Sequence, residues 1–374
     1  MIIEYSLIMA VLLFNLAMIV IAILRRRTGF LTKYSTTALV LLAVFGALRI
    51  VLPFSFPFTY VVNSFVAIPK IESLLSFDVW PGASRIELHN MVFLIWAVGS
   101  LFMLLRTMRN ILSEALYRQR YRVVKDEQAE RLARELRLKH SRIIISPDVV
   151  VPYVTGFFKA KIYLPGIEME DDVLKLILKH ECQHFKSLDS YIKAFYTLLS
   201  IVFWWNPIVH IFLRELDRLL EIRCDEAVTN HMSEGEKTQY LESLLFIAKH
   251  IHTKTTTLAR VSAYVQSEQH GFMEQRFSLI SKGGSNNSSI KQVVSVVLVV
   301  VVFMASFMII IQPAYLPTKN DLGGVFELDP ENAHILFTHE GKYELYIDGL
   351  LLLELEEDLI KMEDFKNIPF IMED

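Results

Sequence analysis

Charged side chains are almost absent from four long stretches of this sequence, and their absence excludes an ordinary soluble protein. The chain has 374 residues, of which 53% are hydrophobic, and its mean hydropathy is +0.37. Each stretch holds about 18–20 residues, enough to cross a hydrocarbon core of roughly 30 Å at a helical rise of about 1.5 Å per residue. We therefore predict a polytopic α-helical membrane protein whose spans cover residues 5–24, 35–52, 88–105 and 293–312.

Cysteine is scarce as well, since the chain holds only Cys182 and Cys224. Both lie in the part that we assign to the cytoplasm below, where a reducing environment disfavours a disulfide. We interpret both as small buried core residues. Internal repeats are also absent from the sequence, and its single low-complexity stretch, GGSNNSS, predicts a linker at 283–292 ahead of the fourth span.

The first span lacks the features of a cleaved signal peptide. No basic region precedes it and no small-residue cleavage site follows it. Three arginines at 25–27 follow instead, so by the positive-inside rule we expect the N-terminus outside the cell. The sparsely charged loop 53–87 is then exterior, and a basic run marks the cytoplasmic face after the third span: Arg106, Arg109, Arg118, Arg120, Arg122 and Lys125. Such a run is typical of a lipid headgroup anchor, so we expect no direct binding of nucleic acid.

The C-terminal tail has the opposite charge. Residues 317–374 carry fifteen Asp and Glu against four Lys, a formal balance of −11, which favours an exterior position. Apolar and polar residues alternate around Gly341 and Gly349, which predicts a small β-rich module over 313–374. The chain is therefore predicted to have three spans within 1–105, a cytoplasmic domain at 106–282, a fourth span and an exterior tail.

A His-Glu-x-x-His pattern, HECQH, begins at His180. Asp171 and Asp172 precede it as a predicted helix cap, and apolar residues then recur at helical spacing. On such a helix His180 and His184 lie one turn apart on one face, so both can bind one metal ion. Glu181 lies beside that face, where it can take a proton from a water molecule on the metal. Zn²⁺ suits this set, although a solvated helix end with two histidines is the plainer alternative.

A second acidic pattern strengthens the metal interpretation. In LDRLLEIRCDEAV, which begins at residue 216, Glu221 and Asp225 also lie one helical turn apart. A glutamate can complete a zinc site as the third ligand, and an aspartate one turn later can orient a ligating histidine. The alternative is a solvated charged face, since Arg218 and Arg223 are close by. Two such patterns together make that alternative weaker.

These motifs resemble the membrane zinc metallopeptidases typified by the β-lactam-sensing antirepressor receptors of the BlaR/MecR type. The similarity extends from about residue 40 to 230 and rests on five segments: LRIVLPFSFPFT at 48–59, VPYVTGFFKAKIYLP at 151–165, HECQHFKSLDSY at 180–191, WWNP at 204–207 and EIRCDEAV at 221–228. The resemblance implies zinc ligands at His180, His184 and Glu221, a general base at Glu181 and a supporting role for Asp225. Asp189 matches a position that is usually acidic in that family.

The sequence departs from that family after its last span. The β-lactam receptors carry a large penicillin-binding sensor there, whereas here only about sixty residues remain, too few for such a domain. We therefore expect no covalent penicillin adduct on this chain.

Residues 151–165 predict two short strands around a turn, with Pro152 and Pro165 as breakers. Zinc peptidases of the gluzincin type hold a substrate as an added strand along a sheet edge. Our candidate edge runs through 154–158, with the substrate-binding residues Val154, Thr155, Gly156 and Phe157, and an ordinary core hairpin is the alternative. An amphipathic helix predicted at 126–139 packs on this sheet.

Residues 194–213 form a further uncharged run that hydropathy alone would make a span. One crossing would separate the two histidines from Glu221 by roughly 30 Å, whereas ligands of one ion must lie within about 2.0–2.2 Å of it. Pro207 can break the helix. We therefore predict a membrane-associated hairpin at 194–213 that enters and leaves on the cytoplasmic side.

Together these patterns predict a multi-pass cell-membrane protein with an α+β, zincin-like cytoplasmic metallopeptidase domain. Its predicted function is to relay an extracellular signal by proteolysis. By resemblance the substrate is a winged-helix transcriptional repressor, the chain itself, or both. A quality-control membrane protease and a receptor with a scaffolding peptidase domain are the alternatives. The predicted partners are the protein substrate and the lipid bilayer, and a homodimer is left open.

Overall fold

The structure is a computed structural model, and it describes residues 2–34, 36–54, 56–57, 59–80, 86–124, 126–136, 141–258, 263–282, 289–314, 333–338, 341–347, 349–355 and 368–372. The helices are α1 (Ile2–Arg26), α2 (Thr28–Leu31), α3 (Thr36–Val51), α4 (Ala67–Leu75), α5 (Leu88–Gln119), α6 (Glu127–Glu135), α7 (Asp171–Lys186), α8 (Asp189–Val202), α9 (Pro207–Thr229), α10 (Glu234–Leu258), α11 (Ala263–Ser281) and α12 (Ser289–Ala305). The strands are β1 (Tyr60–Ser64), β2 (Asp78–Trp80), β3 (Ile86–Glu87), β4 (Ser141–Ser146), β5 (Tyr153–Thr155), β6 (Ala160–Pro165), β7 (Ile309–Pro313), β8 (Ala333–Phe337), β9 (Tyr343–Ile347), β10 (Leu350–Leu355) and β11 (Phe370–Met372).

The chain divides into two compact units. The first comprises Met1–Tyr60 with Asn90–Ile310, and the second comprises Val61–His89 with Ile311–Asp374. In the second unit β1 pairs with β7, β2 pairs with β3, and a four-stranded sheet has the order β10-β9-β8-β11. The core of this sheet includes Ile335 and Leu345.

Among the residues that the structure describes, two helices are long and apolar enough to cross a membrane, namely residues 5–26 of α1 and the whole of α5. Two shorter apolar helices, α3 and residues 293–305 of α12, match the other predicted spans. The bounds of two of these helices differ from the predicted bounds of the spans. The helix of the third span continues to Gln119, well beyond 105, and the fourth ends at Ala305, before strand β7. Within the predicted linker, residues 283–288 lie outside the described residues, and α12 already begins at Ser289.

The uncharged run 194–213 is divided between two helices. Helix α8 ends at Val202, and α9 begins at Pro207 after an N-cap in which the Asn206 side chain accepts from the amide of Ile208. Proline fits this first helical position because its missing N–H would have no partner there. The two helices pack against each other, so the segment forms a helical hairpin.

This hairpin packs on the apolar helices of the first unit. The Tyr196 hydroxyl, fully buried, donates to the carbonyl of Ala43 on α3 at 2.8 Å. The apex is held on α5, where the indole of Trp204 donates to the carbonyl of Trp96 at 3.2 Å. A Cβ at Gly99 would lie only 2.3 Å from the Trp204 ring, so this contact requires glycine.

A three-stranded sheet lies beside these helices in the order β4-β6-β5. Strands β4 and β6 are parallel and β5 pairs antiparallel with β6, which leaves β5 at an edge. Helices α6 and α7 share an apolar core with the sheet, including Ala129, Leu132, Ile162, Leu164 and Leu178. Helix α6 is shorter than predicted, since it ends at Glu135, and its N-cap is Asp126. The N-cap position of α7 is Glu170, whose side chain makes no capping hydrogen bond, and the two predicted cap residues, Asp171 and Asp172, lie in the first turn.

Candidate metal centre

Two packed helices bring the predicted metal ligands together. Helix α7 carries His180 and His184, and α9 carries Glu221. Both histidines are buried, with only 7% and 8% of their surface exposed. The hairpin turn between α8 and α9 returns the chain to α7. The break before Pro207 is therefore needed to bring Glu221 to the two histidines.

The donor atoms of these three residues lie close together. The Nε2 atoms of His180 and His184 lie 3.1 Å apart. The two carboxylate oxygens of Glu221 lie 3.4 Å from them, Oε2 from His180 and Oε1 from His184. Around a tetrahedral ion with ligand distances of about 2.0–2.1 Å, neighbouring ligand atoms are about 3.3–3.4 Å apart. The three side chains therefore fit Zn²⁺ and leave a fourth position for water or substrate.

The other ring nitrogen of each histidine is fixed by a partner of its own. His184 Nδ1 lies 2.6 Å from Asp189 Oδ2, and His180 Nδ1 lies 2.7 Å from the Tyr240 hydroxyl. That hydroxyl donates to Asp225 Oδ1 at 2.8 Å, so its oxygen can accept the proton on His180 Nδ1. Such partners hold a ligating histidine in the tautomer that presents Nε2 to the ion.

This arrangement redistributes the roles predicted from sequence. Asp225 was predicted to orient a ligating histidine, and its Oδ1 lies 3.6 Å from His180 Nδ1, too far for a direct hydrogen bond. Tyr240 stands between them. Asp189, whose role the sequence left undefined, contacts His184 directly and is also paired with Arg223.

An arginine from α11 completes the buried network. Arg276 donates to both oxygens of Asp225, from Nε at 2.7 Å and from Nη2 at 2.8 Å. Its Nη1 lies 3.6 Å from Glu221 Oε2. Sequence spacing could not reveal Tyr240 or Arg276, because they follow Asp225 by 15 and 51 residues on other helices and match no local motif.

Glu181, the predicted general base, lines the same cleft as the candidate ligands. It follows the first ligand directly and is 94% buried, since only 6% of its surface is exposed. Burial raises the pKa of the Glu181 carboxyl, the direction that suits a base working near neutral pH. Burial acts in the same sense on Glu221, but hydrogen bonds with the two histidines outweigh it and hold the pKa of Glu221 well below its usual value.

The electrostatics of His184 follow from its partner. Burial disfavours the charged imidazolium, but the hydrogen bond with Asp189 outweighs it and raises the pKa of His184. A cation that binds the Nε2 atoms must therefore displace protons, which makes metal binding dependent on pH.

Cys224 offers a second donor combination. Its Sγ, with nitrogens of His180 and His184, forms a set of donor atoms within 4.8 Å of one another. However, Sγ approaches His180 from Nδ1, at 3.4 Å, and that nitrogen already contacts Tyr240. The Nε2 atoms face Glu221 instead, so the His-His-Glu set fits the ion better. Cys182 lies in the apolar core under the sheet, and burial raises the pKa of its thiol to about 11.

A cleft of about 370 Å³ opens over these residues. Its lining includes the candidate ligands, Glu181, Tyr240 and Arg276 on one side and Tyr153 and Val154 of strand β5 on another. The edge strand predicted for the substrate therefore borders the site, but it is shorter than expected. It ends at Thr155, because Gly156 has a positive φ of 111° that turns the chain away. The carbonyl of Phe157 is engaged by the Tyr191 hydroxyl at 2.8 Å.

Comparison with known proteins gives the family of this chain and several relatives. The sequence model of the family described as BlaR1 peptidase M56 matches residues 2–280. Regulatory protein BlaR1 of Bacillus licheniformis is 31% identical over 186 residues, which cover 48% of this chain and 31% of that protein. Methicillin resistance mecR1 protein of Staphylococcus aureus is 28% identical over 190 residues, 46% of this chain and 32% of that protein. The match thus covers about a third of the length of these curated relatives.

Proposed function

This chain belongs to the BlaR1 peptidase M56 family, and on that premise we propose that it is a membrane-integrated zinc endopeptidase that relays an extracellular signal by cytoplasmic proteolysis. The observation that carries the proposal is the close approach of donor atoms on His180, His184 and Glu221, at distances of 3.1, 3.4 and 3.4 Å, in a cleft that the buried Glu181 also lines. A scaffold without catalysis has no need to keep both a complete ligand set and a buried base.

The side chains of the site divide the chemistry of peptide hydrolysis among them. His180, His184 and Glu221 would hold the ion, and Zn²⁺, when bound, would supply a Lewis acid that polarises water and the scissile carbonyl. Glu181 accepts a proton as the water oxygen bonds to the carbonyl carbon. It then gives that proton to the amide nitrogen as the C–N bond breaks.

Strand β5 is the proposed docking edge for the substrate. Its other side is taken by β6, and Val154 lies in the wall of the cleft. An extended peptide that pairs with Tyr153–Thr155 would have its main chain aligned by hydrogen bonds and one of its bonds presented to Glu181. The substrate contact proposed here is therefore limited to Val154 and Thr155, and Gly156 and Phe157 end the strand.

The bilayer is the second proposed partner. Helices α1, α3, α5 and α12 are the proposed spans, with the peptidase domain on the cytoplasmic side and both termini outside. The ends of α1 and α5 carry basic residues, which favour the cytoplasmic face. The hairpin α8–α9, which packs on α1, α3 and α5, would then hold the active site at the membrane surface.

A regulatory role is carried over from the relatives, one of which is named a regulatory protein and another a methicillin resistance protein. The proposed substrate is a DNA-binding repressor of the winged-helix class, the chain itself, or both. The chain would act on transcription through proteolysis and would not bind nucleic acid directly. A homodimer is compatible with this role.

The proposal is tested by comparing newly formed protein N-termini in cells that express the wild-type chain with those in cells that express Glu181→Gln. Signalling proteolysis predicts a few wild-type-specific cleavages, with a repressor or the chain itself among them. Cleavage of many unrelated membrane proteins would instead indicate quality control. Identical N-termini under conditions that trigger the response would leave only a scaffold and overturn the proposal. His184→Ala is the matched variant that should lose cleavage together with the metal.

A further inference from the structure

Helix α11 touches the candidate metal centre and the end of the first apolar helix through neighbouring residues. Arg276 donates hydrogen bonds to both oxygens of Asp225 and lies close to Glu221. Gln275, the residue before it, donates to the carbonyl of Arg25 at 2.8 Å and accepts from the Arg25 guanidinium at 3.1 Å. One turn of α11 therefore contacts both the candidate metal centre and the end of α1.

The contact with α1 is reinforced by a buried acid and an aromatic ring. Glu215 on α9 pairs with Arg25 and, at 2.6 Å, with Arg26. The guanidinium groups of Arg25 and Arg218 lie 6.0 and 5.6 Å from the centroid of Phe272, one turn before Arg276 on α11. The end of α1, helix α9 and helix α11 are therefore joined at one point.

Arg276 fixes the orientation of the buried Asp225 carboxylate. Asp225 is 97% buried, and so is the Tyr240 hydroxyl that links it to His180. A fork of two charge-assisted hydrogen bonds fixes the orientation of the Asp225 carboxylate, and that carboxylate fixes Tyr240. Arg276 thus orients His180 indirectly, through Asp225 and Tyr240. It also lies close to Glu221, the third candidate ligand.

We propose that Arg276 is a positioning residue for the metal centre and that α11 couples the cytoplasmic end of α1 to the affinity of this centre for Zn²⁺. The inference rests on the proposed function and names its regulation. A movement of α11 relative to the end of α1 would withdraw Arg276 from Asp225 and would loosen the metal ligands.

The test measures the zinc affinity of the full-length detergent-solubilised chain by competition with a chromophoric chelator. Loss of a residue that supports metal ligands typically lowers affinity about 10–100-fold, which is the expectation for Arg276→Gln. Arg276→Lys keeps the charge but not the pair of hydrogen bonds to Asp225, so its zinc affinity should fall to a smaller extent. This variant replaces Arg276→Gln in the test if Arg276→Gln fails to fold. Glu274→Gln, an exposed change two positions away, should bind zinc as the wild type does.

Hydrogen exchange gives a second readout that does not depend on activity. Because coupling is reciprocal, zinc should slow amide exchange across residues 271–282 in the wild type and in Glu274→Gln, but not in Arg276→Gln. Gln275→Ala should reduce this protection and lower the zinc affinity less than Arg276→Gln does. If Gln275→Ala behaves as wild type, the link to α1 is wrong.

The inference is overturned if Arg276→Gln and Arg276→Lys bind zinc within about twofold of the wild type, since such a small change lies below the usual effect of a supporting residue. This failure differs from failure of the proposed function. In the latter case the wild type binds no zinc, or binds zinc and produces no cleavage in cells.

Discussion

Removal of a single hydroxyl, in Tyr240→Phe, should weaken zinc binding without removing any ligand. The Tyr240 side chain is fully buried, and its hydroxyl contacts His180 Nδ1 at 2.7 Å and Asp225 Oδ1 at 2.8 Å. Asp225 loses the Tyr240 hydroxyl in the variant but keeps both hydrogen bonds from Arg276. His180 Nδ1 loses its 2.7 Å partner and keeps only the longer contact with Cys224 Sγ at 3.4 Å. An orphaned buried polar group costs about 1–3 kcal/mol. If this cost falls on the metal-bound state, zinc affinity falls about 5- to 140-fold, at about 1.4 kcal/mol for each factor of ten.

The assay is the same chelator competition, performed at fixed pH because protons compete with zinc for the histidines. Tyr191→Phe is the matched control, because it removes a hydroxyl that contacts the Phe157 carbonyl outside the ligand network. The control should bind zinc as the wild type does. Equal zinc affinity of Tyr240→Phe and the wild type would refute the argument that Tyr240 orients His180.

Three further expectations concern packing and protonation. Gly99→Ala should lower the melting temperature in detergent, at a cost of about 1–3 kcal/mol for overpacking against Trp204, whereas Gly46→Ala, whose Cβ would meet its nearest atom at 3.5 Å, should not. Because burial raises the pKa of Cys182 to about 11, iodoacetamide at pH 8 should leave this thiol unmodified until the protein is unfolded; rapid labelling of the native protein would contradict this. The pKa of Glu215 is lowered because hydrogen bonds from the two arginines that end α1 outweigh its burial. The ion pairs of Glu215 with these arginines therefore contribute their full stability above about pH 4.5, the usual pKa of Glu. This contribution is lost as the pH falls through the lower pKa of Glu215 in the folded protein. If Glu215→Gln loses stability at acidic pH just as the wild type does, the assignment is contradicted.

The sequence identified those site residues whose geometry is local. His180, Glu181 and His184 lie within one helical turn, so their spacing alone places them on adjoining faces. Glu221 is remote in sequence, yet metal geometry required it to return to α7, and Pro207 supplied the break that makes the return feasible. These residues could be found because a spacing rule or a chemical requirement constrains each of them.

Residues that reach the site by tertiary packing could not be found in this way. Tyr240 and Arg276 lie on α10 and α11, whose sequences show no metal-binding spacing, and only the folded arrangement brings them to Asp225. The ends of apolar helices were also misplaced, because hydropathy reports a run of apolar residues and not where the helix stops. Helix α5 continues past its apolar part through polar residues that favour helix, and the edge strand β5 is cut short by the backbone conformation of Gly156.

The central claim is that His180, His184 and Glu221 form the zinc site, and zinc affinity in Glu221→Gln and Cys224→Ser tests it most directly. The two variants separate the His-His-Glu set from the His-His-Cys alternative. We expect the wild type to bind about one zinc ion per chain, as a site of this kind does. Glu221→Gln should lose most of its affinity, and Cys224→Ser should keep it. Retention of zinc by Glu221→Gln together with its loss from Cys224→Ser would contradict the account.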